Sequence, residues 1–217
     1  RGGERALNGL RPCLRQRELL LQLGEFLDGW DVVMPIATIA FVNVVTTVNA
    51  ASATTIASPA AIHTGGNLLV VCIGNSNGVI TITSVTDTAG NTYVRAAEGV
   101  ISGSDFNSMW YAQNCLGNAA NIVTVTFGGS ATNRTVCVLQ YSGVISTPAL
   151  EEAGYATAGS GTTATTPAIV PQSAGNLVIT AAAAANQDTD VGEANYVTRF
   201  VLAAQNRLVQ DRVSAPS

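Results

Sequence analysis

Ile122-Val123-Thr124-Val125-Thr126-Phe127 alternates apolar residues with threonine at a period of two, the spacing of a strand with one buried and one wet face. Val79-Ile80-Thr81-Ile82-Thr83-Ser84-Val85 repeats the pattern, and Arg134 to Tyr141 (RTVCVLQY) carries it a third time, so each predicts a half-buried strand. Leu68 to Ile73 and Leu177 to Ala182 are continuous apolar runs, short enough to be strands buried on both faces. The alanines at 181–185 extend the second run and are read as strand rather than helix. Turn residues separate these segments: Gly74 to Gly78 (GNSNG), Asp87 to Asn91 (DTAGN), Gly128-Gly129 and Ser142-Gly143, where Gly and Asn supply positive φ. Strands every 8–12 residues with such punctuation predict an all-β fold, an antiparallel β-sandwich of jelly-roll or Ig-like topology.

Outward from this centre, Ile36 to Val48 reads as an opening strand, and Val197 to Leu202 and Arg207 to Val213 as closing ones. The last is expected to leave an open apolar edge. On that reading the domain spans 34–217, is truncated at its C-terminus, and continues beyond Ser217.

The 217 residues are 47% hydrophobic and only 11% charged, with a net charge of −4, 21 glycines and no lysine. A chain this long can bury about 70% of its unfolded surface, and disordered chains are poor in apolar residues and rich in charge. No apolar run reaches the roughly 18 residues of a membrane-spanning helix. Five of the ten arginines lie within the first 17 positions, leaving five Arg against nine acids in 34–217. A nucleic-acid-binding face is hard to build from that balance.

Residues 1–33 differ from the rest. Leu14 to Leu27 (LRQRELLLQLGEFL) has good helix formers with Leu20, Leu23 and Leu27 at helical spacing, predicting a short amphipathic helix weakened by Gly24. It reads either as a docking helix or, preferred here, as a non-native or read-through leader before Met34. A signal peptide from Met34 is disfavoured, because no Lys or Arg occurs between Met34 and Arg95 and Asn43 interrupts the apolar stretch.

Ser58-Pro59-Ala60 followed by Gly66-Asn67-Leu68-Leu69-Val70 is echoed by Thr166-Pro167-Ala168 followed by Gly175-Asn176-Leu177-Val178-Ile179, which suggests two related halves in one domain. The intervening Ala153 to Thr166 is low in complexity and reads as a long exposed loop or frayed edge strand.

Candidate chemistry is sparse. Gly74-Asn75-Ser76-Asn77-Gly78 matches the G-x-S-x-G nucleophile elbow, but a β pattern follows where the elbow needs a helix, and His63 precedes the serine. Glu151-Glu152 has no spacing that would make two carboxyls converge on one glycosidic bond. Asp87-Thr88-Ala89-Gly90-Asn91 and Asp188-Thr189-Asp190 offer oxygens to Ca²⁺, yet both lack further ligands, and an Asx-turn is the favoured reading. One His, with Cys at 13, 72, 115 and 137, has no zinc spacing. No metal or other cofactor is expected. Cys72 and Cys137 lie inside strands and read as free, buried thiols, although a bridge becomes feasible if their strands are neighbours. Trp110 and Tyr111 are adjacent in a strand, so they face opposite ways, with Trp110 as the core anchor. For a glycan site, Phe106 in the turn-rich Ser102 to Ser108 (SGSDFNS) is the leading stacking platform, flanked by Asp105 and Asn107, with Tyr111 and Tyr155 as further aromatics, although a Phe tucked under its own loop is the favoured reading of that residue.

The succession Val85-Thr86-Asp87-Thr88-Ala89-Gly90-Asn91-Thr92-Tyr93, Met109-Trp110-Tyr111-Ala112-Gln113-Asn114, Asn121 to Phe127 and Leu139-Gln140-Tyr141-Ser142-Gly143 resembles a family of β-sandwich domains found in large secreted bacterial proteins and phage structural proteins. The resemblance spans about Met34 to Val213 and carries no catalytic residues. It implies a virion or extracellular location and a noncatalytic structural or adhesive module that associates with itself or with other virion or cell-surface proteins. A carbohydrate-binding module is the alternative, and a hydrolase the remote one.

Overall fold

The structure, a computed structural model, describes residues 38–76, 80–102, 105–144, 150–154, 175–183, 195–202 and 207–213. The expected leader helix, Tyr155, Asp188, Asp190 and most of the low-complexity loop lie outside the described residues. Thirteen strands follow in chain order: β1 (Ala40–Asn49), β2 (Ala53–Ala57), β3 (Ala61–His63), β4 (Leu68–Asn75), β5 (Ile82–Asp87), β6 (Val94–Ser102), β7 (Asp105–Ala112), β8 (Asn118–Asn121), β9 (Val123–Ala131), β10 (Arg134–Ser142), β11 (Leu177–Ala183), β12 (Val197–Leu202) and β13 (Arg207–Val213). No described residue is helical, and none of the helices a membrane span would require is present among them.

All strand pairs are antiparallel. A five-stranded central sheet runs β1-β10-β4-β7-β6, a second sheet β2-β9-β5, a third β11-β13-β12, and a short ladder joins β3 to β8. The pairing of first with last (β1 with β10), then β2 with β9 and β3 with β8, then β4 with β7, is jelly-roll wiring. The strand β6 departs from it by hairpinning onto β7.

The central sheet has apolar cover on both faces, and the period of two sorts its side chains between them. Leu69, Val71 and Ile73 of β4 join Val136 and Val138 of β10 in a core with Ile56, Val85, Val123, Val125 and Phe127 of the second sheet. Leu68, Val70 and Cys72 alternate with them and join Cys137, Leu139 and Tyr141 in a second core, where Val209, Leu177, Ile179 and Phe200 of the third sheet pack. The described strands therefore form a sandwich of β-layers with the central sheet in the middle.

This layering corrects several expectations. Arg134 to Tyr141, expected to be half-buried, is buried on both faces, because the second sheet covers Val136 and Val138 while the third covers Cys137, Leu139 and Tyr141. Leu177 to Ala182 is only half-buried, in an outer strand of the third sheet. Gly128-Gly129 does not turn the chain but continues β9. There the register jumps between Ala53↔Ala131 and Thr55↔Thr126, and Gly128 N bonds Thr81 O at 2.9 Å. Arg207 to Val213 is no edge, since β13 is paired on both sides. Asp105, Phe106 and Asn107 lie in β7, not in a loop. Trp110 and Tyr111 do face opposite ways, but each packs against one of the two cores.

Polar side chains fasten the connections. Arg134, 2% exposed, donates from Nε and Nη2 to Ala51 O (3.2 and 2.8 Å) and from Nη1 to Thr55 O, clamping the β1–β2 turn to β10. Gln140 is fully buried. Its amide donates to Ile62 O (3.1 Å) and accepts from Asn67 Nδ2 (2.6 Å) and Thr64 N (2.8 Å), holding the approach to β4.

Candidate functional site

Two polar clusters interrupt the cores, and residues singled out from sequence fall in both. The first joins the central and third sheets. Arg207, at the start of β13, reaches across to β4 and β7 with its side chain 5% exposed. Its Nη1 donates to Asn107 Oδ1 at 3.5 Å, and its Nη2 lies 4.0 Å from Asp105 Oδ1. The Nε and Nη2 groups are buried without hydrogen-bond partners. Burial lowers the Arg207 pKa to about 10, with the Asp105 charge acting against the shift. The guanidinium fits only because residue 74 is glycine: a Cβ there would fall 1.1 Å from Nη1. Beside it lies a cavity of about 20 Å³, lined by Cys72, Gly74, Asn107, Thr135, Cys137 and Arg207 among others, which is room for about one water molecule.

Asp105 and Asn107 thus meet in one place, through an arginine that sequence reading took only as a strand residue. Its signal was a charge directly before the apolar Leu208-Val209. Phe106 does not join them. It is 3% exposed and points into the core shared with the second sheet, so it offers no ring to a sugar. The alternation along β7 explains this, since Phe106 must face away from its two neighbours.

The second cluster lies where the β5–β6 turn meets the β3–β8 ladder. Asp87 Oδ2 accepts from Asn91 Nδ2 (2.7 Å), Asn121 Nδ2 (2.8 Å) and the Tyr93 hydroxyl (2.8 Å), and Oδ1 accepts from Asn91 N (2.9 Å). Burial alone would raise the Asp87 pKa, but the bonds from Asn121, Asn91 and Tyr93 together bring it below its ordinary value. Asp87 caps the backbone of its own turn as expected, but at Asn91 N four residues on, not at the i+2 position of an Asx-turn; the backbone turn closes through Gly90 N to Asp87 O at 3.3 Å, with Gly90 at φ 82°. The carboxylate oxygens are turned inward onto these donors instead of outward to a cation. Among the described residues no three His, Cys, Asp or Glu side chains converge.

Asn121, fully buried, is the hub. Its Oδ1 accepts from Thr88 Oγ1 (2.9 Å) and Ala89 N (3.0 Å), which fixes its amide orientation, so Nδ2 is the donor to both Asp87 and His63 Nδ1 (2.9 Å). His63 Nδ1 is then the acceptor, and in the neutral ring the proton sits on Nε2, which is buried without a partner. Burial lowers the His63 pKa, against the charge of Asp87.

His63 and Ser76 lie near opposite ends of β4, an eight-residue strand of roughly 25 Å. The next described strand after Ser76 is β5, and none of the described residues between them is helical. Glu151 and Glu152 are exposed, and Glu151 Oε2 accepts from Asn176 Nδ2 at 2.6 Å. The chain matches no family model, no curated protein and no solved structure.

Proposed function

We propose that this chain is a noncatalytic structural or adhesive jelly-roll module of a phage particle or of a secreted bacterial surface protein, associating with itself or with other proteins of the same surface. The observation that carries this reading is how the buried polar groups are employed. Arg134 clamps a turn to β10, Asp87 and Asn121 join the β5–β6 turn to the β3–β8 ladder, and Asp211 joins the third sheet to the central one. Each converges on the protein's own backbone or side chains, which is the pattern of a framework.

The outer strands support self-association. Ala40 to Asn49 is ten residues without a charge at one edge of the central sheet, and it exposes Val42 (44%) and Val48 (41%). Long, uncharged edge strands are templates for pairing with another chain. Light scattering of the full chain over a concentration series, with electron microscopy of the concentrated sample, tests this. Ordered oligomers that weaken in Val42→Lys and Val48→Lys are expected. A monomer at every concentration that binds a glycan saturably on an array would replace this reading with the carbohydrate-binding one.

A further inference from the structure

Cys72 on β4 and Cys137 on β10 are directly opposed partners in an antiparallel ladder. Both are free and buried, both belong to the core facing the third sheet, and both line the same small cavity. Opposed residues in such a ladder have Cα atoms about 4.5–5.5 Å apart, inside the span a disulfide bridges. Their side chains project from the same face, and the adjoining cavity leaves room for a thiol to change rotamer. We infer that Cys72 and Cys137 are a modification site: they close a cross-strand disulfide between the two central strands when the chain folds in the presence of a small-molecule disulfide such as oxidised glutathione.

The step is thiol–disulfide exchange. One cysteine thiolate attacks a sulfur of oxidised glutathione, breaking its S–S bond and releasing one glutathione. The second cysteine then attacks the mixed disulfide, forming the protein S–S bond and releasing the other glutathione. The protein loses two electrons and two protons, and both appear in the two glutathione thiols. Timing follows from burial, which pushes the Cys137 thiol up to about 12 and Cys72 well above its usual value. Thiolate is scarce once the third sheet covers the pair, so exchange belongs to the open chain.

The test is peptide mapping without reduction, after trapping remaining thiols by alkylation. Full-length chain refolded from denaturant with oxidised and reduced glutathione is expected to contain the peptide pair linked through Cys72 and Cys137. Folded, reduced chain in the same buffer is expected to acquire the link more than about tenfold more slowly. Should refolding fail, chain secreted into an oxidising compartment and alkylated before extraction is mapped in the same way. Free Cys72 and Cys137 after oxidative folding, or pairing of either with Cys13 or Cys115, overturns the assignment. Equal rates in the open and folded chain overturn the coupling to folding.

Discussion

The guanidinium of Arg207 on β13 occupies the space that a side chain on Gly74 of β4 would need, with Nη1 lying 1.1 Å from the position of a Cβ. This contact binds the third sheet to the middle of the central one, and it sets the first prediction. Gly74→Ala displaces a buried guanidinium from Asn107 and Asp105, destabilising the fold by about 1–3 kcal/mol in denaturant unfolding. Arg207→Met removes an incompletely partnered buried charge and stays within about 1 kcal/mol of the parent, since apolar replacements of buried ions are often neutral. In the double variant the collision is gone, so its loss is smaller than that of Gly74→Ala alone. Additive losses would refute the contact.

The hub around Asp87 predicts acid sensitivity. The folded pKa of His63 lies below its ordinary 6.5, so the unfolded chain binds its proton first. Stability is therefore full above about pH 6.5 and falls as the pH drops from there towards the folded pKa. Asp87 acts in the same direction at lower pH: its contribution is present above its ordinary 3.8 and is lost as the pH falls through the lowered folded value. Unfolding midpoints measured from pH 8 to 3 should show both phases. His63→Gln should remove the upper phase and leave the lower one.

Asn121 bonds both Asp87 and His63, so its replacement is costly. Asn121→Ala empties a fully buried position and leaves the buried His63 Nδ1, the half-buried Asp87 and Ala89 N, and the exposed Thr88 Oγ1 each short of a partner. About 2–4 kcal/mol is expected from unsatisfied buried groups, read by chemical denaturation. A loss below about 1 kcal/mol would mean that water takes over the role.

Between the central and third sheets, Asp211 Oδ2 accepts from the Tyr141 hydroxyl and from Arg199 Nε (2.8 Å), and the Arg199 guanidinium lies 3.7 Å over the Phe41 ring. Tyr141→Phe removes one bond to a charged acceptor and costs about 1.5–3 kcal/mol. Asp211→Ala strands both donors and costs about 3–5 kcal/mol. The Tyr141→Phe change should have little further effect once Asp211 is gone.

Leu69 and Leu139 are both fully buried but face opposite cores. Either residue changed to Ala should cost about 2–5 kcal/mol, in one cooperative transition. If only Leu139→Ala were mild, the third sheet would not be packed as described. Val197→Ala, at an exposed position, should stay within about 0.5 kcal/mol.

Much of this fold was legible beforehand. Val197 to Leu202 and Arg207 to Val213 coincide with β12 and β13, and Asp87 to Asn91 forms the expected turn. Local rules suffice there, because strand alternation and side-chain-capped turns depend on neighbours in sequence. The short β3 and β8 were missed. They carry little periodic signal and are defined by pairing across nearly sixty residues. Phe106 was misplaced because Gly, Ser, Asp and Asn around it read as a loop, while the register of β7 with β4 keeps it in a strand and in the core.

By itself the sequence determined most of the long segments that extend and several of the turns between them, because side-chain periodicity and positive-φ residues act over a few positions. Only the tertiary structure decided which faces are covered and which polar groups meet. The alternation of Arg134 to Tyr141 is the same whether water or a third sheet lies beside it, and no local rule brings His63, Asp87 and Asn121 together. Those contacts arise from layer stacking and strand register, which are properties of the closed chain.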